Sequence, residues 1–262
     1  MNTLIEEQAF FHSIAKKVRD FVASHTDVSI AKNKGEGDFS TLVDIGVEAL
    51  IVEEITKQFP QDHIMAEEGY SHTEIPDGRI WIIDPICGTN NLSRGIKNFC
   101  TNIALADNHE LIAACVIDHS QNDYFWSVGE QTVYVNHAPL SPAKVRGEVV
   151  IEVDYGCLGL VDDQMKLKHN TFVGNLVRQA NFSVISLNSS LGFTYTAVGK
   201  VDGFVNIDNY PWDICAAAFL VREAGGIITD IEGNPWTIRS KGAIAARTQE
   251  IHETLLRLFL AS

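Results

Sequence analysis

Apolar positions recur along the chain in two rhythms, one of about 3.6 residues and one of short continuous runs, and their alternation predicts a layered α/β protein. Residues 4–24 carry Leu4, Ile5, Phe11, Ile14, Ala15, Val18, Phe21 and Val22 at helical spacing. The Gly/Lys/Asn-rich break at Lys32–Asp38 predicts a mobile loop or a tight hairpin. A second helical pattern runs from about Val43 to Phe59 through Val47, Leu50, Ile51 and Ile55, and stops at Pro60. Ile64–Ala66 and Arg79–Ile83 read as short buried strands with the acids Glu67, Glu68 and Asp84 at their carboxyl ends. From Asn102 to Val135, breaks at Asp107–His109, His119–Asp123 and Gly129–Glu130 predict an antiparallel meander.

The second half mixes the two rhythms again. Strands are predicted at Val149–Val153, Phe182–Leu187, Phe204–Ile207, Ile227–Asp230 and Ala243–Ala246. Helices are predicted over Asp163–Gln179, Ser190–Val198, Asp213–Glu223 and 250–260, with Asp213 as an N-cap and Gly225 or Gly226 as a C-cap. No sharp linker and no short repeat divides the chain, so residues 1–262 are expected to form one unit. Its halves, about 1–145 and 146–262, would meet near residues 140–150.

Composition narrows the function classes. The net charge of −14 disfavours a nucleic-acid polymer as partner, although bound cations can reverse the field inside a cleft. No run approaches the length of a membrane span, and the first residues lack the layout of a signal peptide. The five cysteines show no CxxC spacing, which argues against a disulfide framework or a structural zinc site. A cytoplasmic location is the expectation, with no membrane contact.

Three segments carry candidate chemistry. Glu67, Glu68 and Asp84, with the Ile86 carbonyl, offer the oxygen donors that a hard divalent cation requires. Singly, acids at strand ends are commonly just solvated; it is their convergence that would make a site. Gly88-Thr89-Asn90-Asn91 could be a plain turn, or could present backbone N–H groups to a phosphate while Thr89 positions a water. Asp213, in Pro211-Trp212-Asp213, could cap its helix or ligate a metal.

In combination, Ala66-Glu67-Glu68, Trp81 through Asn91 (WIIDPICGTNN), and Trp212-Asp213 followed by Glu223-Ala224-Gly225-Gly226 resemble the inositol monophosphatase family of lithium-sensitive, Mg²⁺-dependent phosphatases. Asp38–Asp44 and Thr132–Asn136 extend the likeness over nearly the whole chain. The resemblance implies a five-layer αβαβα sandwich, a homodimer, and hydrolysis of a small sugar or polyol phosphate. It implies that Glu67, Asp84 and the Ile86 carbonyl hold one Mg²⁺, and that Asp84, Asp213 and residue 87 hold a second. Thr89 and Asp44 would activate water, Glu67 being counted with them as catalytic. Gly88, Thr89, Asn206 and Asp213 would contact the substrate.

The chain departs from the family pattern at a ligand position, where Cys87 replaces aspartate. A thiol is softer than a carboxylate, so it weakens Mg²⁺ or favours Mn²⁺ or Zn²⁺. Alternatively, the protein binds a phosphorylated ligand without turnover. Asn206 stands, by count, where inositol-specific members carry glutamate, and Leu187-Asn188-Ser189 stands where they carry Gly-Thr-Ala. These changes leave fructose-1,6-bisphosphate, histidinol phosphate, NADP and nucleotide 3′-phosphates open beside inositol phosphate.

Overall fold

The computed structural model describes residues 4–25, 27–35, 38–70, 74–141, 147–179 and 181–262. Helix α1 (Ile5–Ser24) buries Phe10, Phe11, Ile14, Ala15 and Val18. Ile5 does not join them and is 65% exposed. Six residues at about 100° each rotate it well away from Phe11, and Phe10 fills the core in its place. The glycine-rich break is a hairpin, β1 (Ile30–Gly35) against β2 (Asp38–Thr41), whose tip at residues 36–37 lies outside the described residues. Helix α2 (Leu42–Gln58) follows directly. Its start is fixed reciprocally: Thr41 Oγ1 accepts from Val43 N at 3.2 Å, and Thr41 N donates to Asp44 Oδ2 at 2.9 Å.

Among the described residues the first sheet has seven strands in sequential order. They are β3 (His63–Ala66), β4 (Arg79–Cys87), β5 (Cys100–Asp107), β6 (Glu110–Asp118), β7 (Asp123–Ser127), β8 (Tyr134–Val135) and β9 (Ala138–Pro139), with the one-turn helix α3 (Thr89–Ser93) after β4. The meander is as expected, with β9 added. Strand β4 does not end at Asp84 but continues through Cys87. Pro85 is tolerated there because the pairing with β5 shifts register between Asp84 and Cys87, so no ladder bond is asked of its missing N–H. Strands β3 and β4 are parallel, with Ala66 opposite Ile83, and this sets Glu67 beside Asp84.

Among the described residues the second sheet has five strands. In chain order the elements are β10 (Val149–Val153), a 3₁₀ turn at Gly156–Leu160, α4 (Asp163–Val177), β11 (Phe182–Ile185), α5 (Leu191–Val198), β12 (Gly203–Asn206), α6 (Pro211–Glu223), β13 (Ile227–Thr229), β14 (Ala243–Ala246) and α7 (Gln249–Leu260). Strand β10 runs parallel to β11 and β12, while β14 is antiparallel to β12 and β13. The order across the sheet is β11-β10-β12-β14-β13. Helix α6 ends as expected at Gly225, whose φ of +79° suits glycine. The last strand of the first sheet ends at Pro139 and the second sheet begins at Val149; residues 142–146 between them lie outside the described residues.

Three apolar clusters join these elements into five layers. One lies between α1/α2 and the outer face of the first sheet, around Trp81, whose ring packs against Phe10 at 5.0 Å. The central one wraps α5 and α6, where fully buried Ala217 and Ala218 let α6 sit tightly between the sheets. The third joins the second sheet to α4 and α7. The sandwich therefore reads αβαβα, and it aims the ends of β3, β4, β10 and β12 and the start of α6 toward one region.

Candidate metal and phosphate site

Asp84 is the centre of that region. It is 1% exposed, and neither carboxylate oxygen accepts a hydrogen bond from the described residues. Leaving such a group unpaired typically costs about 1–3 kcal/mol, and more when it is charged. Burial pushes its carboxyl well above the usual range, and the neighbouring Cys87, Glu67 and Asp213 push it further. One donor atom each from Asp84, Cys87 and Asp213 lies within 4.8 Å of the others, close enough for a single divalent ion to bridge. Two carboxylates and a sulfur, one of the carboxylates lacking any other hydrogen-bond partner, fit a divalent cation.

Asp213 is the third residue of α6 rather than its N-cap. Pro211 opens the helix, and the Asp213 carboxylate accepts from Tyr210 N at 3.1 Å. It caps the helix from within while its other oxygen remains available to the cluster. Burial, then Glu67, raises its carboxyl to about 8. Cys87 Sγ accepts from Ser190 N at 3.1 Å, and the Cys100 thiol beside it, together with burial, holds Cys87 protonated well above the usual thiol range.

Glu67 is half-buried and is held by Lys34, whose Nζ lies 2.6 Å from Glu67 Oε1 and 2.7 Å from Glu68 Oε1. Burial raises the Glu67 carboxyl to about 7 even against this ammonium. For Lys34, burial opposes the charge, but Glu67 and Glu68 outweigh it and hold the amine above its ordinary range. Glu68 also accepts from Ser40 Oγ and so faces the hairpin and α2. The sequence reading missed Lys34; the two lysines, Lys32 and Lys34, in a glycine-rich break just ahead of Asp44 were the available signal.

Gly88 adopts φ +102°, and a Cβ there would meet Asn98 O at 3.0 Å and Ser189 Cβ at 3.1 Å, so the turn requires glycine. It delivers Thr89, whose Oγ1 lies 2.7 Å from Asp44 Oδ1 and 3.0 Å from Ile86 O. A hydroxyl has one proton, so an ionised Asp44 draws it and leaves the Ile86 carbonyl free for another partner. Asp44 is fully buried; burial raises its carboxyl while Thr41 and Thr89 hydrogen bonds work the other way.

Glu67, Cys87, Gly88, Thr89 and Asp213 all line one cavity of about 170 Å³, whose far wall comes from Asp154, Gly156, Asn188 and Asn209 of the second sheet's loops. A wider cleft of about 910 Å³ adjoins it through Glu67 and Asn209 and carries Lys34, Arg239 and Lys241. Asn206 is corrected in one respect. It is fully buried and does not line the cavity; its Nδ2 donates to Asp154 Oδ2 at 2.7 Å from behind. Asp154 and Asn209 were not singled out in the sequence.

The raised carboxyls predict a pH dependence for the metal-free protein. Glu67 and Asp213 bind protons more tightly folded (to about 7 and about 8) than unfolded, where carboxylates titrate at about 4. Their contribution is therefore present at low pH and lost as pH rises through 7 to 8. Thermal melts of chelator-treated protein should show Tm falling from about pH 6.5 to about pH 8, above the range where the buried histidines, whose pKa values are lowered, act in the opposite direction, and a saturating divalent ion should flatten that slope. A chelated protein whose Tm rises over this window would contradict the assignment.

Five layers with acids converging from two sheets on a small polar cavity are the architecture of metal-dependent phosphatases of the inositol monophosphatase and fructose-1,6-bisphosphatase type. Residues 4–262 match the model of the inositol monophosphatase family. The chain is 31% identical over 226 residues to the Nus factor SuhB of Salmonella typhimurium, covering 84% of this chain and 83% of that one. It is 30% identical over 230 residues to the fructose-1,6-bisphosphatase/inositol-1-monophosphatase of Thermotoga maritima, covering 88% and 86%. A solved Thermotoga maritima IMPase superposes with a TM-score of 0.83 at 28% identity, covering 98% and 97%. The chain belongs to the inositol monophosphatase family.

Proposed function

We propose that this protein is a divalent-metal-dependent phosphomonoesterase acting on a small sugar or polyol phosphate. The observation that carries this reading is the buried, unpaired Asp84 carboxylate, clustered with Cys87 and Asp213 beside the Thr89–Asp44 pair. Glu67, Asp84 and the Ile86 carbonyl would hold one ion, and Asp84, Cys87 and Asp213 a second. Bound there, divalent ions supply neutralisation of phosphoryl oxygens and a lowered pKa for water. Donation of the Thr89 proton to Asp44 leaves the hydroxyl oxygen to accept a hydrogen bond from the attacking water. The backbone N–H groups of Gly88 and Thr89 would bind phosphate. Lys34 holds Glu67 in an ion pair of 2.6 Å, a contact with which a bound cation would compete.

Magnesium suits the oxygen donors, whereas the Cys87 sulfur shifts preference toward Mn²⁺ or Zn²⁺. The acidic net charge supports a small ligand over a nucleic-acid polymer. Among the described residues no helix is long and apolar enough to cross a membrane. A cytoplasmic homodimer completes the reading.

A second reading, a phospho-ligand-binding protein without turnover, is favoured by one observation: Cys87 Sγ already accepts from Ser190 N, and Cys100 and burial push its thiol above the usual range. Phosphate release from a panel of monoesters, with Mg²⁺, Mn²⁺ and Zn²⁺, separates the two. Turnover is expected from the native protein, and Cys87→Asp should tighten Mg²⁺ activation by at least about 10-fold. Silence from both proteins with every metal would leave only the second reading.

A further inference from the structure

The far wall of the cavity contains a carboxylate that the proposed chemistry does not use. We infer that Asp154, oriented by Asn206 and the Gly156 N–H, forms a subsite that reads hydroxyl groups on the carbon skeleton of the phosphate ester; this rests on the phosphatase reading above.

Strand pairing brings the two residues together. β10 and β12 run parallel, with Glu152 opposite Phe204 and Val153 opposite Val205. The next step along both strands sets Asp154 beside Asn206, and Asp154 N donates to Val205 O at 3.0 Å. Side chains alternate across a sheet. Val153 and Val205 belong to the outer cluster and Phe204 to the central one, so Asp154 and Asn206 share the inward face at the carboxyl end of the parallel strands. That is where α/β sheets bind ligands.

The carboxylate is held by Gly156 and Asn206, with the Asn209 amide also against it, and keeps capacity to spare. Oδ1 accepts from Gly156 N at 2.8 Å, and Oδ2 accepts from Asn206 Nδ2 at 2.7 Å. A carboxylate has about four acceptor sites, so these bonds leave acceptors on a side chain that lines the cavity. The Gly156 side is close-fitting: a Cβ there would lie 3.2 Å from Asp154 Oδ1 and 3.1 Å from Asn188 Oδ1. Asn206 Oδ1 is buried without a partner, so this amide is not placed to satisfy itself; its NH₂ is turned to the carboxylate.

Charge decides the ligand class. Among the described residues no lysine, arginine or histidine lines this cavity, while Asp154, Asp213 and Glu67 do. A second phosphate or carboxylate at the Asp154 wall would meet repulsion. A hydroxyl would donate to Asp154, and the amides of Asn188 and Asn209 on the same wall can both donate and accept. The chain thus lacks glutamate at position 206 but places a carboxylate next to it, from a different strand.

The test compares inositol phosphate, rich in hydroxyls, with p-nitrophenyl phosphate, which has none. Asp154→Asn keeps the side-chain shape and should lower the ratio of the two kcat/KM values (inositol phosphate over p-nitrophenyl phosphate) by at least about 10-fold, a factor typical of one hydrogen bond to a charged group. Asn206→Ser should lower it in the same direction by less. A purely structural Asp154 would reduce both activities together and lower Tm with the ratio unchanged, which would overturn the assignment. If the native protein hydrolyses neither compound, the phosphatase reading fails, and calorimetry then decides about the subsite. Inositol phosphate should bind at least about 10-fold tighter than inorganic phosphate, with the preference lost in Asp154→Asn. No preference in the native protein, or the same preference in the variant, would overturn it.

Discussion

Replacement of Asp84 by asparagine is expected to lower metal-activated phosphate release by roughly 1,000-fold, since the electrostatic support lost amounts to several kcal/mol. Divalent-ion binding should weaken in parallel. The same substitution should raise the Tm of the metal-free protein, because it removes a buried carboxyl that has no hydrogen-bond partner and is crowded by Glu67 and Asp213. Loss of activity with gain of metal-free stability separates a ligand from a structural acid. A structural Asp84 would show the reverse, with lower stability and little change in metal affinity. Calorimetric metal titration and thermal melts read both quantities.

The second large effect is expected at Thr89 and Asp44. Thr89→Ala and Asp44→Asn should each reduce kcat by about 10²–10⁴-fold, the range typical of positioned proton transfer. Because Thr89 Oγ1 and Asp44 Oδ1 share one hydrogen bond of 2.7 Å, the double variant should be scarcely worse than either single one. Additive losses would mean that the two side chains act independently. Asp44 has a second duty, since it accepts from Thr41 N at the start of α2. Asp44→Asn should therefore also cost about 1 kcal/mol of stability, which Thr89→Ala should not.

Much of this site was legible in the sequence because its parts are local. The run from Asp84 to Thr89 carries an acid, a sulfur, an obligatory glycine and a hydroxyl within six consecutive positions, and the structure keeps Cys87, Gly88 and Thr89 on the cavity wall with Asp84 beneath. Asp213 was found from its helix start, although its cap position was misjudged: Pro211 moves the first turn back two residues. Strand β4 was expected to end at Asp84, where the apolar run stops, and only the register shift against β5 shows how the strand carries Pro85 on to Cys87.

The rest depended on long-range pairing. Asp154 and Asn206 are 52 residues apart and meet only because β10 and β12 are parallel neighbours. No period in the sequence announces that pairing. Lys34 likewise reaches Glu67 and Glu68 only through the fold of the hairpin over the end of β3. Counting back from Trp212-Asp213 found Asn206, but position along a strand does not tell which of two adjacent side chains meets the cavity.

The central claim is that Asp84 organises a metal-dependent phosphate-ester site. Its most direct test is phosphate release by chelator-treated protein as a divalent ion is restored, with native and Asp84→Asn proteins measured side by side on inositol phosphate. Release that is absent after chelation, returns with Mg²⁺, Mn²⁺ or Zn²⁺, and fails to return in Asp84→Asn is the predicted result. Release that survives chelation, or returns equally in Asp84→Asn, would contradict it.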